Sequence, residues 1–324
     1  MSNEITKKQK FYEEKLGYTT SLLSDIMPFL EREAVTEIML NGDGKIRLDT
    51  WNGTQITDVR INQEKAEIIL KTLSNFNNKA KTNIVSGILP TGDRFEGITG
   101  KAAHNKTIFA IRKKATRILT LDEYVGMNFI TEREKEYITQ NVLGEKNILI
   151  VGGTSSGKTT FANACLNVLK DSGDRIIILE DTPELQCSAD DTVKLQTTET
   201  EQMIELLQST MRLNPTRIIV GELRKGIDTL ELLKAWNSGH SGGMSTIHAN
   251  DCLGGLLKLE QYLDEEIETD MSLLIANSVN IIINIIRGRN RRYVREIKEV
   301  KGYDKKEKEY ILEDIKDLGK EAEW

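Results

Sequence analysis

Apolar positions along the 324-residue chain change rhythm before its midpoint. Early on they come in short runs. Residues 37–40 and 45–49 read as strands, and Asn41-Gly42-Asp43-Gly44 between them is a hairpin signal, because these residue types tolerate the positive φ of a tight turn. From 62 to 76, Ala66, Ile69, Leu70 and Leu73 recur at helical spacing, with Asn62 placed to cap the first turn. Residues 84–89, 95–99 and 107–112 read as further short strands, parted by Pro90, Gly92 and Gly100. These elements predict a small α/β N-terminal domain over 1–113. No clean period holds over 114–130, which is read as a linker.

From Asn147 onward, strongly apolar runs at 148–151, 175–179, 218–220 and 244–247 alternate with helical stretches. Strands alternating with helices imply a mainly parallel sheet covered on both faces, so the remainder, 131–324, is expected to be one α/β domain. Residues 280–286 and 293–300 flank Gly288-Arg289-Asn290 and read as an antiparallel hairpin.

Composition narrows the class. At 39% hydrophobic and 29% charged residues, the chain has the material for a packed core. Its net charge of −6 supplies no global basic field, so strong direct nucleic-acid binding is not expected. The densest basic run, Arg287, Arg289, Arg291, Arg292 and Arg295, reads as a solvated hairpin turn. Three cysteines, at 165, 187 and 252, make neither a disulfide framework nor a CxxC site, which points to the cytoplasm. Residues 1–10 are polar and lack the apolar core of a signal peptide. The apolar stretch 272–286 is broken by Asn277, Asn280 and Asn284 and falls short of the roughly 20 residues a span needs, so membrane contact is expected to be peripheral.

The chemistry concentrates in four segments. Gly152-Gly153-Thr154-Ser155-Ser156-Gly157-Lys158-Thr159, followed by Thr160, satisfies GxxxxGK[ST] between a strand and a helix. Glycines there let backbone N–H groups curl round phosphates, and the helix N-terminus favours negative charge. Lys158 is expected to reach the β- and γ-phosphates of ATP, and Thr159 to ligate Mg²⁺. After the second strand, Glu180-Asp181-Thr182-Pro183-Glu184 places carboxylates at the sheet edge where ligands of open α/β sheets bind. Glu180 there can orient or deprotonate a water. The third strand leads into Gly221-Glu222-Leu223-Arg224, in which a buried strand delivers a carboxylate to Mg²⁺ or its waters. Glu180 and Glu222 therefore join Thr159 as candidate Mg²⁺ partners. The fourth segment, 239–250, carries His240 and His248 among glycines. Both suit a γ-phosphate sensor, hydrogen-bonded structural histidines being the plainer alternative; a metal site lacks further cysteine or histidine ligands.

In this order the four segments resemble the type II/IV secretion (traffic) ATPases, within them the TrbB-type conjugal-transfer branch. The similarity extends forward through Leu89-Pro90, Arg94-Phe95-Glu96-Gly97 and 109–114, covering about 37–303. It implies a RecA-like P-loop ATPase domain behind the N-terminal domain and a homohexameric ring. That ring would lie in the cytoplasm, peripheral to the inner face of the cell membrane, at secretion or conjugation channel proteins. It also implies that Arg94 and Arg112 contact phosphate, a task suited to a planar, permanently charged guanidinium, and that Arg224 joins them in stabilising charge on the γ-phosphoryl group. Asn214 and Thr216 stand where relatives often place a basic residue and an acid, and the four-cysteine module of many type II secretion ATPases is absent. A type IV pilus or type II secretion ATPase is the nearest alternative. A RecA-like nucleic-acid translocase is more distant, disfavoured by the acidic balance and the 6% aromatic content.

Overall fold

A computed structural model describes residues 21–50, 53–76, 83–89, 91–114, 117–288 and 291–315. The readings that touch residues 1–10, Pro90, 115–116, Arg289 and Asn290 lie outside the described residues. Two compact units divide the chain: Met1–Thr116 with Arg289–Arg291, and Arg117–Gly288 with Arg292–Trp324.

In the first unit, α1 (Met27–Leu30) precedes β1 (Val35–Leu40), β2 (Lys45–Thr50) and β3 (Gly53–Arg60). Helix α2 (Gln63–Phe76) leads to β4 (Ile84–Ile88), β5 (Arg94–Ile98) and β6 (Ile108–Arg112). The six strands form one sheet in the order β3-β2-β1-β6-β5-β4, every pair antiparallel. The β1–β2 turn closes as its sequence predicts: Gly44 takes φ 77°, and its N–H donates to Asn41 O at 2.9 Å. Asn62 caps α2 by accepting from the Lys65 N–H at 2.7 Å. The helix buries Ala66, Ile69, Leu70 and Leu73 among Ile38, Phe95, Phe109 and Ile111 of the sheet. Gly97 permits this approach, since a Cβ there would stand 2.2 Å from Leu70 Cδ1.

The second unit opens with α3 (Leu121–Gly126) and α4 (Glu132–Leu143), each started by a capping box, Thr120 with Glu123 and Thr131 with Glu134. Thus 117–130, expected to be linker, is folded into this unit. There follow β7 (Ile148–Gly152), α5 (Lys158–Asn167), β8 (Ile176–Glu180), β9 (Thr192–Gln196), α6 (Met203–Thr210), β10 (Arg217–Val220) and α7 (Gly226–Trp236). The chain then runs through β11 (Met244–Ile247), α8 (Cys252–Asp264), α9 (Ser272–Ser278), β12 (Ile281–Arg287), β13 (Arg292–Asp304) and β14 (Glu309–Asp314).

The eight strands lie in the order β14-β13-β12-β7-β11-β10-β8-β9. Six of them, β12 to β9 along that order, are mutually parallel, and β13 and β14 add antiparallel strands at one edge. Continuous apolar runs such as Ile148-Leu149-Ile150-Val151 and Ile176-Ile177-Ile178-Leu179 are fully buried, as parallel strands with both faces covered must be. Leu149, Val151, Ile177, Leu179, Ile218 and Val220 pack in one cluster with residues of α6 to α9. Phe161 of α5 is buried against Tyr124 and Phe129, with ring centroids 5.1 and 5.6 Å away. Among the described residues, no helix is long and apolar enough to cross a membrane.

Candidate functional site

Because β7, β11, β10 and β8 are parallel neighbours in that order, their carboxyl ends line one edge of the sheet. The chemistry foreseen in sequence lies along this edge: the 152–159 loop after β7, His248 after β11, Glu222 after β10, and Glu180 at the end of β8.

The 152–159 loop turns through Ser155 at φ 55° and Gly157 at φ 99° before α5 begins. Gly152 is required at the strand exit, where a Cβ would stand 2.3 Å from Ile285 O and 2.7 Å from Ser156 Oγ. At Gly153 a Cβ would meet nothing within 4 Å, so this side of the loop is open. Thr154 is exposed, and Thr159 and Thr160 are half-buried in the first turn of α5. Ser156 Oγ is buried with no hydrogen-bond partner among the described residues.

Lys158 is 7% exposed, and its ammonium folds back over the loop to donate to Gly152 O at 2.9 Å and Gly153 O at 3.0 Å. It also donates to His248 Nδ1 at 3.3 Å. His248 Nε2 lies 2.7 Å from Glu222 Oε1. Glu222 Oε2 accepts from Arg224 Nε at 2.8 Å and from Arg224 Nη2. Arg224 Nη1 stands 3.6 Å from Asp181 Oδ2. This chain of contacts, Lys158–His248–Glu222–Arg224–Asp181, runs across the strand ends in the order of the strands.

Glu180 is held apart from it. Its Oε1 accepts from the N–H groups of Glu184 at 2.9 Å and Leu185 at 2.8 Å, while Oε2 makes no hydrogen bond among the described residues. Burial pushes its carboxyl above the usual carboxylate range, and the two amides offset only part of that rise. The loop it grips is lashed to α5 by the buried Asn163, which accepts from Gln186 N at 2.8 Å and donates to Glu184 O at 3.3 Å.

His240 is not part of this edge. It precedes β11, whereas His248 follows it, and its Nδ1 lies 3.2 Å from Pro215 O ahead of β10. Four strand residues separate the two positions by ~13 Å. Both histidines were expected to suit a γ-phosphate sensor; the structure places a strand of the sheet between them, with His248 alone at the carboxyl ends.

Arg94 and Arg112 lie in the first unit, where β5 and β6 pair them directly, and Glu37 of β1 faces Arg112 on the other side. The structure thus brings the two arginines to one row of the sheet. Asn163 and Arg292 escaped the sequence reading. The latter donates from Nε to Ser155 O at 3.0 Å, whereas its run reads as solvated turn.

A family model described as "Type II/IV secretion system protein" matches residues 24–310. The chain is 40% identical over 289 residues to "Conjugal transfer protein TrbB" of Rhizobium radiobacter, covering 87% of this chain and 89% of that protein. Among solved structures it is similar to the Yersinia pseudotuberculosis ATPase DotB, with a TM-score of 0.60 at 17% identity over 84% of this chain and 76% of that one. It is also similar to the pilus retraction motor PilT with bound ADP, with a TM-score of 0.59 at 15% identity over 84% and 81%. At these identities the two structures speak for the fold alone. With the model matched across most of its length, the chain belongs to the Type II/IV secretion system protein family.

Proposed function

We propose that the protein is the ATP-hydrolysing motor of a type IV secretion or conjugal-transfer apparatus, working as a homohexameric ring at the inner face of the cell membrane beside its channel proteins. The observation that carries this reading is the contact of Lys158 with His248, and of His248 with Glu222, at the mouth of a glycine-rich loop in a chain of this family. The 40% identity to a conjugal transfer protein favours that branch over a pilus motor.

The loop's chemistry suits a triphosphate. Its open side at Gly153, its two left-handed residues and the N-terminus of α5 offer backbone N–H groups to phosphate oxygens. The Lys158 donors now turned to loop carbonyls can turn to the β- and γ-phosphates. No group of three or more His, Cys, Asp or Glu among the described residues forms a metal cage. Mg²⁺ is typically held through one or two protein oxygens together with substrate phosphates. Thr159 and Glu222 would hold it, with Glu180 one strand away, and when bound it neutralises charge on the β- and γ-phosphoryl oxygens.

In this reading the two glutamates take different roles. Glu222 has both oxygens engaged, by His248 and Arg224, and serves to position and polarise. Glu180 has one oxygen fixed by two amides and the other without a hydrogen bond among the described residues, and burial raises its pKa, which suits a base for the attacking water. Arg224, Arg94 and Arg112 supply positive charge for the developing γ-phosphoryl charge. His240 remains a structural residue in this reading.

Steady-state ATP turnover tests it. Lys158→Ala and Glu180→Gln should each lose activity by about 10²-fold or more, and Glu222→Gln by a comparable factor. Wild-type rates in all three would overturn the assignment.

A further inference from the structure

Arg292 opens β13 and faces Arg287 across the β12–β13 ladder. On its other side β12 runs parallel to β7 as far as the pair Ile285–Gly152, so the hairpin returns alongside the glycine-rich loop. Arg292 Nε donates to Ser155 O at 3.0 Å, and its Cδ lies 3.8 Å from where a Cβ on Gly157 would stand. Ser155 and Gly157 are the loop's two left-handed residues. A serine holds positive φ only where its surroundings fix it, and the arginine is a fixing group.

The arginine is itself held in place. Two residues on, Val294 N–H donates to Phe129 O at 3.0 Å. Phe129 stacks on Phe161 of α5, the helix that the loop opens. Loop, helix, aromatic pair and β13 close a frame in which Arg292 is the strut against the loop's outer bend. This is not the behaviour of a solvated turn.

We propose that Arg292 is a positioning residue for nucleotide: it fixes the Ser155 carbonyl so that the following amides stay turned to the phosphates, and it lays a permanent positive charge along the loop. The proposal rests on the ATPase reading above. Because ATP and ADP share the phosphates gripped by this part of the loop, Arg292 contributes to the binding of both and not to cleavage. Binding shared equally by ground and transition states appears in KM and leaves kcat alone.

The experiment uses the full chain, titrated with a fluorescent ADP analogue and assayed for ATP turnover, with a thermal melt of each variant. Arg292→Ala should weaken ADP binding and raise KM for ATP, each about tenfold, with kcat within about twofold of wild type. Arg292→Lys, which keeps the charge but not the fixed Nε–H, should lie between Arg292→Ala and wild type. The exposed neighbour Arg291→Ala should stay within about twofold throughout. If Arg292→Ala does not fold, Arg292→Gln replaces it, and tighter ADP binding by Arg292→Lys than by Arg292→Gln is the supporting result. A wild-type protein that neither binds ADP nor turns over ATP would sink the ATPase reading itself. A wild type that does both, with unchanged ADP affinity and KM in the neutral variant, overturns only this inference. So does a loss confined to kcat.

Discussion

Lys158 Nζ and His248 Nδ1 are joined at 3.3 Å, and the same imidazole meets Glu222 Oε1 through Nε2 at 2.7 Å. An ammonium offers only donors, so Nδ1 presents its lone pair and Nε2–H donates a hydrogen bond to the carboxylate. The tautomer is thereby set by the two partners. A γ-phosphate that draws Lys158 away frees Nδ1 and disturbs Glu222 through one ring. The γ-phosphate is absent from ADP, so the effect of His248 should appear in turnover rather than in ADP binding. His248→Ala is expected to cut kcat by about 10²-fold while ADP affinity stays within about threefold. Paired turnover and ADP-titration measurements check it, and equal losses in both would contradict the relay.

Glu180 supplies a second test because its burial acts on stability and catalysis in opposite senses. A carboxyl whose folded pKa is raised destabilises the fold when ionised, and that cost disappears as pH falls through the folded value toward the unfolded one. Glutamine can still accept the amides of Glu184 and Leu185 without the charge. Glu180→Gln should therefore be inactive yet melt at or above wild type at pH ~7, with the difference vanishing at pH ~4. On the acid side, wild-type kcat should fall with an apparent pKa above the ordinary carboxylate value. An acid limb at or below that value would remove Glu180 as the base.

The row Glu37–Arg112–Arg94 puts two arginines at directly paired positions of neighbouring strands. Arg94→Gln and Arg112→Gln should both still give a cooperative thermal melt. Each should lower ATP turnover by about 10²-fold or more. Melting curves and turnover on the same preparations decide, and full turnover in both variants would return these residues to plain surface charge.

At the opposite edge of the second sheet, Arg217 is 2% exposed and ties Asp174 at 2.6 Å to Val142 O at 2.8 Å and Gly242 O at 3.2 Å. Arg217→Met should cost about 1–3 kcal/mol, because it leaves two buried carbonyls and a half-buried carboxylate without their donor. His240, on this same side, should behave differently from His248. His240→Ala is expected to cost about 1 kcal/mol through the contact with Pro215 O and to keep kcat within about threefold. Chemical denaturation with parallel ATPase assays checks both.

The parallel strands were legible because burial on both faces leaves uninterrupted isoleucine, leucine and valine runs, as at 148–151 and 176–179. The strands that escaped reading, β3, β9 and β14, all lie at sheet edges. Their side chains are mostly half-buried or exposed, so polar residues such as Gln55, Thr57, Lys194 and Glu313 hide the strand period. The expected linker carried a signal that periodicity alone overlooks: Thr120-x-x-Glu123 and Thr131-x-x-Glu134 each spell a capping box. Lys158, Glu222 and His248 were legible as motifs, but their contact depends on strand order, which no local pattern encodes. Arg292 looked like solvent-facing charge because its partner, Ser155 O, is 137 positions away.

That strand order has a consequence for how such a site changes over time. Lys158, His248 and Glu222 each follow a different strand of the sheet, and neighbouring strands keep a fixed spacing of ~4.8 Å. The sheet thus serves as a ruler with one functional tooth per mark. Loops elsewhere in the unit can lengthen or shorten without altering the gap between teeth, and a tooth can be exchanged singly. The spacing that lets a lysine, an imidazole and a carboxylate touch in series is inherited from backbone hydrogen bonding, which substitutions of side chains leave intact.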